Sequence, residues 1–174
     1  DGRRTDIQAA LALRLIGEAA AEGCLALVLT GGEPLLHPDF ARIYKASREQ
    51  GMLVTVFTNG TLIDADIVTL FKAIPPRGVD ITLYGATAGA YETITGIAGS
   101  YAACRRGLDL LAAAGIPFRL KTIVTRVNQH EFKAMEELAR HYGVRFRYDA
   151  AIFPTLQGDP APLSHRVTPE TAAS

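Results

Sequence analysis

The chain has 174 residues, of which 48% are hydrophobic and 21% are charged, and such a composition is typical of a globular domain with a sizeable core. The formal net charge is zero, which argues against a surface for nucleic acid or for an anionic membrane. No apolar run approaches the length of a membrane span and the first residues do not form a signal peptide, so we expect a cytoplasmic protein.

Helical and strand periods alternate along the chain. Thr5 followed by Gln8 predicts a capping box for a first helix over residues 7–21. Further helices are predicted at 39–48, 64–73, 101–114 and 128–142. Strands are predicted at 25–29, 54–57, 79–83, 118–124 and 145–151, and a loop-like tail follows.

The predicted order of elements, αβαβαβαβαβ, is typical of a parallel sheet with right-handed crossovers. Two details suggest a piece of something longer. The chain opens on a helix, so we expect a first strand upstream. It also closes on Thr168 and Pro169, an N-cap followed by proline at the first helical position, which predicts the start of another helix.

The two cysteines of the sequence are Cys24 and Cys104. Their wide separation fits neither a disulfide framework nor a CxxC metal site. We expect both to be small residues of the core.

Charged side chains recur on one face of the last two predicted strands. Arg119 and Lys121 alternate with apolar residues in FRLKTIVT, and Arg145, Arg147 and Asp149 do so in RFRYDA. Because unpaired buried charges are costly, this pattern favours a wet lumen that holds a polar ligand, as an incomplete barrel would provide. Alternatively, these charges lie at strand ends and pair with each other, for instance Arg147 with Asp149.

Polar and small residues follow most of the predicted strands, at the sheet edge where parallel α/β proteins bind their ligands. They lie in the segments 30–34, 58–60, 84–87, 125–128 and 149–154. Glycines in these segments let the backbone approach a ligand closely. Glu33 could hold an amino group and Lys121 a carboxylate, and together they suit a zwitterionic amino-acid moiety.

Four strand ends, read in order, resemble the radical SAM (S-adenosylmethionine) superfamily: LTGGEPLL, VFTNGTLI, ITLYGAT and RLKTIVTRVN. ETITGIAGSYAACRRGLDLLAAAGI and PLSHRVTPE are similar to its branch of peptide and protein maturases and coenzyme PQQ biosynthesis proteins, many of which carry a SPASM-type C-terminal domain. The resemblance implies an α/β fold, a partial (β/α)6 barrel of parallel strands whose first strand and cluster loop are missing here. It implies a truncated radical SAM core at residues 1–152 and a tail at 153–174 that leads toward a further domain.

The resemblance also implies chemistry. In this family a [4Fe-4S] cluster reduces bound S-adenosylmethionine, and the resulting 5′-deoxyadenosyl radical takes a hydrogen atom from the substrate. The implied cofactor-binding positions are Gly31, Gly32, Glu33, Pro34, Asn59, Thr82, Lys121 and Asn128. Gly31, Gly32 and Glu33 would hold the methionine amino group, and Lys121 would face its carboxylate.

Several of these positions also fit plain structural roles. Asn59 precedes a glycine and suits a turn. Asn128, with Glu131 three residues on, suits the N-cap of a helix. Tyr84 and Asp149 face the expected mouth of the barrel as candidates for substrate contacts. His37, just past GGEP, could border the substrate, but a solvated loop residue is the favoured interpretation.

The family's CxxxCxxC motif, whose thiolates hold the cluster, is absent from this sequence. Cys24 lies at the amino end of its predicted strand and Cys104 on a helix, so neither replaces it. We therefore expect a truncated radical SAM oxidoreductase or maturase that does not bind the cluster and is inactive as given. The alternatives are a cluster-free module that binds a peptide or a nucleotide, and a barrel enzyme that uses Glu33 and Lys121 as acid and base.

Expected partners are a peptide or small-molecule substrate and a reductant such as flavodoxin or ferredoxin, with neither nucleic acid nor membrane among them. A missing first strand would leave the apolar strand from Leu25 to Leu29 as a bare sheet edge. Such an edge favours self-association.

Overall fold

A single parallel sheet carries the helices in the computed structural model, which describes residues 6–168. The strands are β1 (Ala26–Leu29), β2 (Leu53–Thr58), β3 (Gly78–Thr82), β4 (Phe118–Ile123) and β5 (Phe146–Asp149). The helices are α1 (Ala9–Ala21), α2 (Phe40–Glu49), α3 (Ala65–Ala73), α4 (Ala88–Thr95), α5 (Ser100–Ala113) and α6 (Phe132–His141). Short 3₁₀ helices lie at Pro34–Leu36, Gln129–Glu131 and Ala161–His165.

The strands follow their chain order across the sheet, β1-β2-β3-β4-β5, and every neighbouring pair is parallel. Because each crossover advances by one strand in the same direction, the connecting helices gather on one face, and the other face becomes the concave side of a curling sheet. Within the described residues the sheet is not closed, since β1 and β5 each have one neighbouring strand. The predicted partial barrel of parallel strands is confirmed.

The hydrophobic core lies between the sheet and its helices. Side chains of the three central strands that point to the helices are fully buried: Val54, Val56, Val79, Ile81 and Leu120. The helices contribute large side chains that are just as completely buried, including Tyr44, Phe71, Leu108, Leu111 and Met135. Alternate positions of the same strands point the other way, which leaves the concave face to polar and charged residues.

The first predicted helix is present, with a later start than predicted. Helix α1 begins at Ala9, and its N-cap Gln8 makes no side-chain capping hydrogen bond. Thr5, the predicted cap, lies outside the described residues, as does the predicted helix start from Pro169 onward. No helix within residues 6–168 is long and apolar enough to cross a membrane.

Helix α4 was not predicted, although its two end signals are present. The Thr87 side chain accepts a hydrogen bond from the Ala90 N–H at 3.4 Å, and Gly96 ends the helix in a left-handed conformation with φ of 68°. The glycine and threonines between these ends have low helix propensity. The helix forms because it buries Tyr91 completely against the core.

The cysteines differ in their surroundings. Cys104 is fully buried in α5, as predicted. Cys24 is exposed, so its assignment to the core is wrong. It lies before edge strand β1, whose outer side has no neighbouring strand among the described residues to cover it.

Candidate functional site

The concave face of the sheet carries a cavity of about 340 Å³ between β2 and β5. The strand register sets its polar lining in two rows. The first row contains Phe57, Asp80 and Arg119, and the second contains Thr82, Lys121 and Arg147. Four of the charged strand residues therefore face a concave surface, as the lumen interpretation expected: Arg119, Lys121, Arg147 and Asp149. Arg145 does not line this cavity.

Only part of the charge in this cavity is neutralised. Asp80 is 4% exposed and accepts a hydrogen bond from Arg119 Nε at 2.6 Å, which makes an ion pair. The Lys121 ammonium lies 3.4 Å from the centre of the Phe57 ring, a cation–π contact. One cation is thus paired with a carboxylate, and a second rests on an aromatic face.

The pairing of Arg147 with Asp149, one alternative from the sequence, is wrong. Among the described residues no ion pair joins them. Asp149 instead accepts a hydrogen bond from the backbone N–H of Ala151 at 2.8 Å. Arg147 projects from β5 as an exposed side chain that lines the cavity.

The pKa of the Lys121 ammonium is lowered from its ordinary value. Burial is the main cause, Asp80 opposes the shift, and Arg147 and Arg119 add to it by repulsion. A bound anion would relieve both the desolvation and the repulsion at this position.

A second cavity, of about 560 Å³, lies between α1, β1 and the start of α2. Residues 31–34 line it together with largely apolar side chains. Gly31 has φ of 149°, which favours glycine, whereas Gly32 has an ordinary backbone conformation. A methyl group added at Gly32 would meet no atom within 4 Å, so the chain itself does not require glycine at this position. That open space is compatible with close approach of a ligand.

The Glu33 carboxylate joins the end of β1 to the end of β2. Its Oε1 accepts hydrogen bonds from the Leu35 N–H at 3.1 Å and from Thr58 Oγ1 at 2.7 Å. Its Oε2 accepts the Asn59 N–H at 2.7 Å. A carboxylate has about four acceptor positions, so these three bonds leave one on Oε2 for a further donor.

Asn59 and Tyr84 hold the neighbouring loops. The Asn59 side chain accepts hydrogen bonds from the Thr61 N–H and hydroxyl, at 2.9 and 2.6 Å, which is the turn role considered from the sequence. The Tyr84 ring packs edge-on against the Tyr91 ring, with 5.4 Å between the ring centroids. Burial raises the pKa of Tyr84, and the charge of Glu33 raises it further.

Asn128 stands at the N-cap position of the 3₁₀ helix Gln129–Glu131, but its side chain makes no capping hydrogen bond. Its side chain is completely buried, and its Oδ1 accepts the Thr125 N–H at 2.7 Å. Its Nδ2 donates to the carbonyls of Tyr84 and Ile123, both at 3.0 Å. The amide thus joins the loop after β3 to the end of β4.

Glu131 supports the same loop, a contact that was not predicted. This buried carboxylate accepts hydrogen bonds from the Ala86 N–H at 2.7 Å, from the Thr87 N–H at 3.1 Å and from the Thr87 hydroxyl. Burial alone would raise the pKa of Glu131, but these three bonds and nearby His130 lower it below its ordinary value. The spacing of Glu131 from Asn128 suggested a capping box, but both side chains reach the β3 loop instead.

His37 is half-buried and lines the second cavity, so it is less exposed than a fully solvated loop residue. Its Nε2 lies 2.9 Å from the Ile7 carbonyl oxygen, and its Nδ1 accepts the Asp39 N–H at 3.0 Å. The ring therefore joins the segment before α1 to the loop after β1.

The ten candidate residues do not line one cavity. Three line the concave cavity: Thr82, Lys121 and Asp149. Four line the second cavity: Gly31, Gly32, Glu33 and Pro34. Three hold the loops at the same sheet edge by backbone or side-chain hydrogen bonds: Asn59, Tyr84 and Asn128. Glu33 lines the second cavity and Lys121 the concave one.

Comparison with known proteins identifies the family to which the chain belongs. Residues 1–139 match the family described as the Radical SAM superfamily. The chain belongs to the radical SAM superfamily. The resemblance noted at the four strand ends is thereby confirmed.

Two curated relatives show the range of this superfamily around the chain. The AdoMet-dependent heme synthase of Methanosarcina barkeri is 32% identical over 148 residues, which cover 85% of this chain and 42% of that protein. The PqqA peptide cyclase of Ruegeria pomeroyi is 28% identical over 144 residues, which cover 83% and 38%. The likeness to the PQQ branch is confirmed, whereas heme synthases were not anticipated. The chain spans less than half the length of either relative.

Solved radical SAM structures share the fold. Native anSMEcpe with bound AdoMet and Kp18Cys peptide superposes with a TM-score of 0.78 at 15% identity, covering 97% of this chain and 49% of that one. At such low identity the likeness concerns the fold alone. It agrees with an open barrel of parallel strands.

The residues present do not fit a [4Fe-4S] cluster. Cys24 is exposed at the start of the edge strand and Cys104 is fully buried in α5. Across residues 6–168 no three His, Cys, Asp or Glu side chains are grouped so that they could hold a metal ion. The chain therefore supplies no thiolate set for the cluster.

The residues do fit the amino-acid end of S-adenosylmethionine. Glu33 retains an acceptor on Oε2 for an ammonium group, and the Lys121 ammonium has no carboxylate partner among the described residues. The open space at Gly32 leaves room beside the first of these groups.

Proposed function

We propose that this radical SAM chain carries the S-adenosylmethionine-binding edge of an oxidoreductase or maturase that acts on a peptide or a cofactor precursor. One observation carries the proposal. At the carboxyl ends of β1 and β2, the Glu33 carboxylate is fixed by the Asn59 N–H and keeps one acceptor position unused. This is a preorganised site for a cationic amino group.

The proposed binding roles follow the chemistry of each side chain. Gly31, Gly32 and Glu33 hold the methionine amino group, and Lys121 holds the carboxylate. The other proposed cofactor positions are Pro34, Asn59, Thr82 and Asn128, and the proposed substrate positions are Tyr84 and Asp149. When bound and reduced by one electron, S-adenosylmethionine supplies the abstraction of a hydrogen atom from the substrate.

The cluster that performs the reduction needs thiolates that this chain does not supply, so in the proposed enzyme they come from outside residues 1–174. A peptide substrate is supported by the relative that is a PqqA peptide cyclase. A flavodoxin or ferredoxin as reductant, a cytoplasmic location and a division near residue 152 remain predictions from the sequence. Self-association through the β1 edge is likewise a proposal.

A second candidate is a cluster-free module that binds a peptide or nucleotide on the same concave face. The positions of Cys24 and Cys104 favour it, because within residues 6–168 neither belongs to a group of metal ligands. This candidate predicts ligand binding without reductive cleavage of S-adenosylmethionine.

Binding and turnover separate the two candidates. Calorimetry with S-adenosylmethionine on the 174-residue chain is expected to give binding that Glu33→Ala abolishes. Glu136→Ala, which removes an exposed carboxylate of α6, is the matched control and should leave binding unchanged.

The whole protein is then reconstituted with iron and sulfide without oxygen, reduced, and assayed for 5′-deoxyadenosine. Formation of that product, and its loss in Glu33→Ala, would support the radical enzyme. Absence of the product from a reconstituted protein that still binds a peptide or a nucleotide would favour the binding module.

A further inference from the structure

Two cations on the concave face remain without a carboxylate. Arg119 is paired with Asp80, and Asp149 turns to the N–H of Ala151. Lys121 and Arg147 have no ion-pair partner among the described residues. Both line the same cavity, from adjacent strands.

These two cations stand directly opposite each other. Lys121 on β4 is the register partner of Arg147 on β5, and neighbouring strands are about 4.8 Å apart. Like charges directly opposite in a sheet are destabilising. Consistently, repulsion from Arg147 is one of the causes that lower the pKa of Lys121. Burial in the core does not account for this arrangement, since Arg147 is an exposed side chain.

We infer that Arg147 binds a carboxylate group of the substrate, beside the carboxylate held by Lys121. This assignment rests on the proposed function, because it takes Lys121 as the position of the cofactor carboxylate. A guanidinium matches a carboxylate with two parallel hydrogen bonds, which makes arginine suited to this task. Two anions beside two cations would remove the repulsion between the strands.

The cavity favours a carboxylate over a phosphate. Within the described part of the chain, every residue that lines it belongs to a strand, so these residues include no helix N-terminus of the kind that phosphate sites ordinarily use. Phe57 and Ile123 line the same cavity and offer apolar surface to a carbon skeleton. The expected substrate is therefore an organic acid or an acidic peptide side chain.

The test uses succinate as the probe and its uncharged diamide, succinamide, as the control ligand, in NMR titrations of the 174-residue chain. We expect succinate to bind and succinamide not to bind. Arg147→Gln should weaken succinate about tenfold, and Arg147→Lys should weaken it less. Arg145→Gln removes an exposed arginine two residues away that does not line the cavity, and it should have no effect.

Several outcomes would overturn the assignment. Equal binding of succinate to Arg147→Gln and to the unaltered chain would do so, as would binding of succinamide. Inorganic phosphate that binds tighter than succinate, with the same dependence on Arg147, would replace a carboxylate by a phosphate ligand. If Arg147→Gln lowers the affinity for S-adenosylmethionine as much as Lys121→Gln does, Arg147 binds the cofactor rather than the substrate.

Failure of the proposed function has a different signature. If succinate depends on Arg147 but S-adenosylmethionine does not bind the unaltered chain, the anion site stands and the cofactor role falls. If S-adenosylmethionine binding depends on Glu33 and Lys121 but succinate binding does not depend on Arg147, the cofactor role is supported and the substrate site is ruled out.

Discussion

The Glu33 carboxylate accepts the backbone N–H of Asn59 at 2.7 Å and thereby ties the loop after β1 to the end of β2. The two residues are 26 positions apart in sequence and meet because parallel strands end at the same edge. The carboxylate therefore stabilises the fold even without a ligand. Its substitution should therefore affect both folding and binding.

Glu33→Gln tests this structural role. An amide cannot present acceptors to both the Thr58 hydroxyl and the Asn59 N–H, because one of its two ends donates. We expect a loss of about 1–3 kcal/mol in the free energy of unfolding, measured by urea denaturation. Glu136→Gln on the surface of α6 should lose almost nothing, and equal losses in the two variants would contradict the structural role of Glu33.

Asn128→Ala should be more damaging than its position after a strand suggests. The substitution leaves the Tyr84 and Ile123 carbonyls and the Thr125 N–H without their partner in a buried site. We expect a loss of about 3 kcal/mol in unfolding free energy, with reduced hydrogen-exchange protection in the loop after β3. Gln129→Ala is the neighbouring control, and a similar loss there would point to helix propensity instead.

The sequence predicted where Asn128 and Glu131 lie but not what they do. Their spacing of three residues is typical of a capping box, which is a local rule. In the fold both side chains cross to the loop after β3, more than 40 residues earlier in the chain. Local rules cannot anticipate such a contact, because it depends on β3 and β4 being neighbours in the sheet.

Features that follow from a repeating pattern were predicted more accurately than the contacts of single side chains. Alternation in FRLKTIVT correctly placed Arg119 and Lys121 on the concave face, since the period of two is a property of any strand. The pairing of Arg119 with Asp80 was not predicted, because it needs the register between β3 and β4. Cys24 was assigned to the core from its residue type alone, without knowledge that β1 is an edge.

Gly107→Ala and Gly17→Ala should have opposite effects, although both lie within helices. A methyl group at Gly107 would overlap the Gly60 carbonyl oxygen, where α5 packs on the turn after β2, so we expect a loss of about 1–3 kcal/mol. A methyl group at Gly17 in α1 meets nothing within 4 Å, so alanine should stabilise the helix by about 0.5–1 kcal/mol. Thermal unfolding of both variants checks the sign, and a neutral Gly107→Ala would contradict the close contact.

Glu131 should make the stability of the fold depend on acid. Its pKa in the folded chain lies below the ordinary value of 4.5, so its contribution is fully present above that pH and is lost as the pH falls through the folded pKa. Urea midpoints measured between about pH 5 and pH 3 should fall less steeply in Glu131→Gln, which has no proton to gain. Glu137→Gln, an exposed substitution on α6, should keep the steep fall, and identical slopes in all three proteins would contradict the prediction.

Edge strand β1 should drive self-association of the chain. Within the described residues its backbone pairs with β2 on one side only, and Leu25 and Val28 are 75% and 47% exposed. A second copy can add its own strand to this edge, so light scattering should detect dimers or larger species. Val28→Lys places a charge on the edge and should shift the population toward the monomer, whereas Leu156→Lys in the exposed tail should not. A monodisperse monomer of the unaltered chain at high concentration would mean that the edge does not recruit a partner strand.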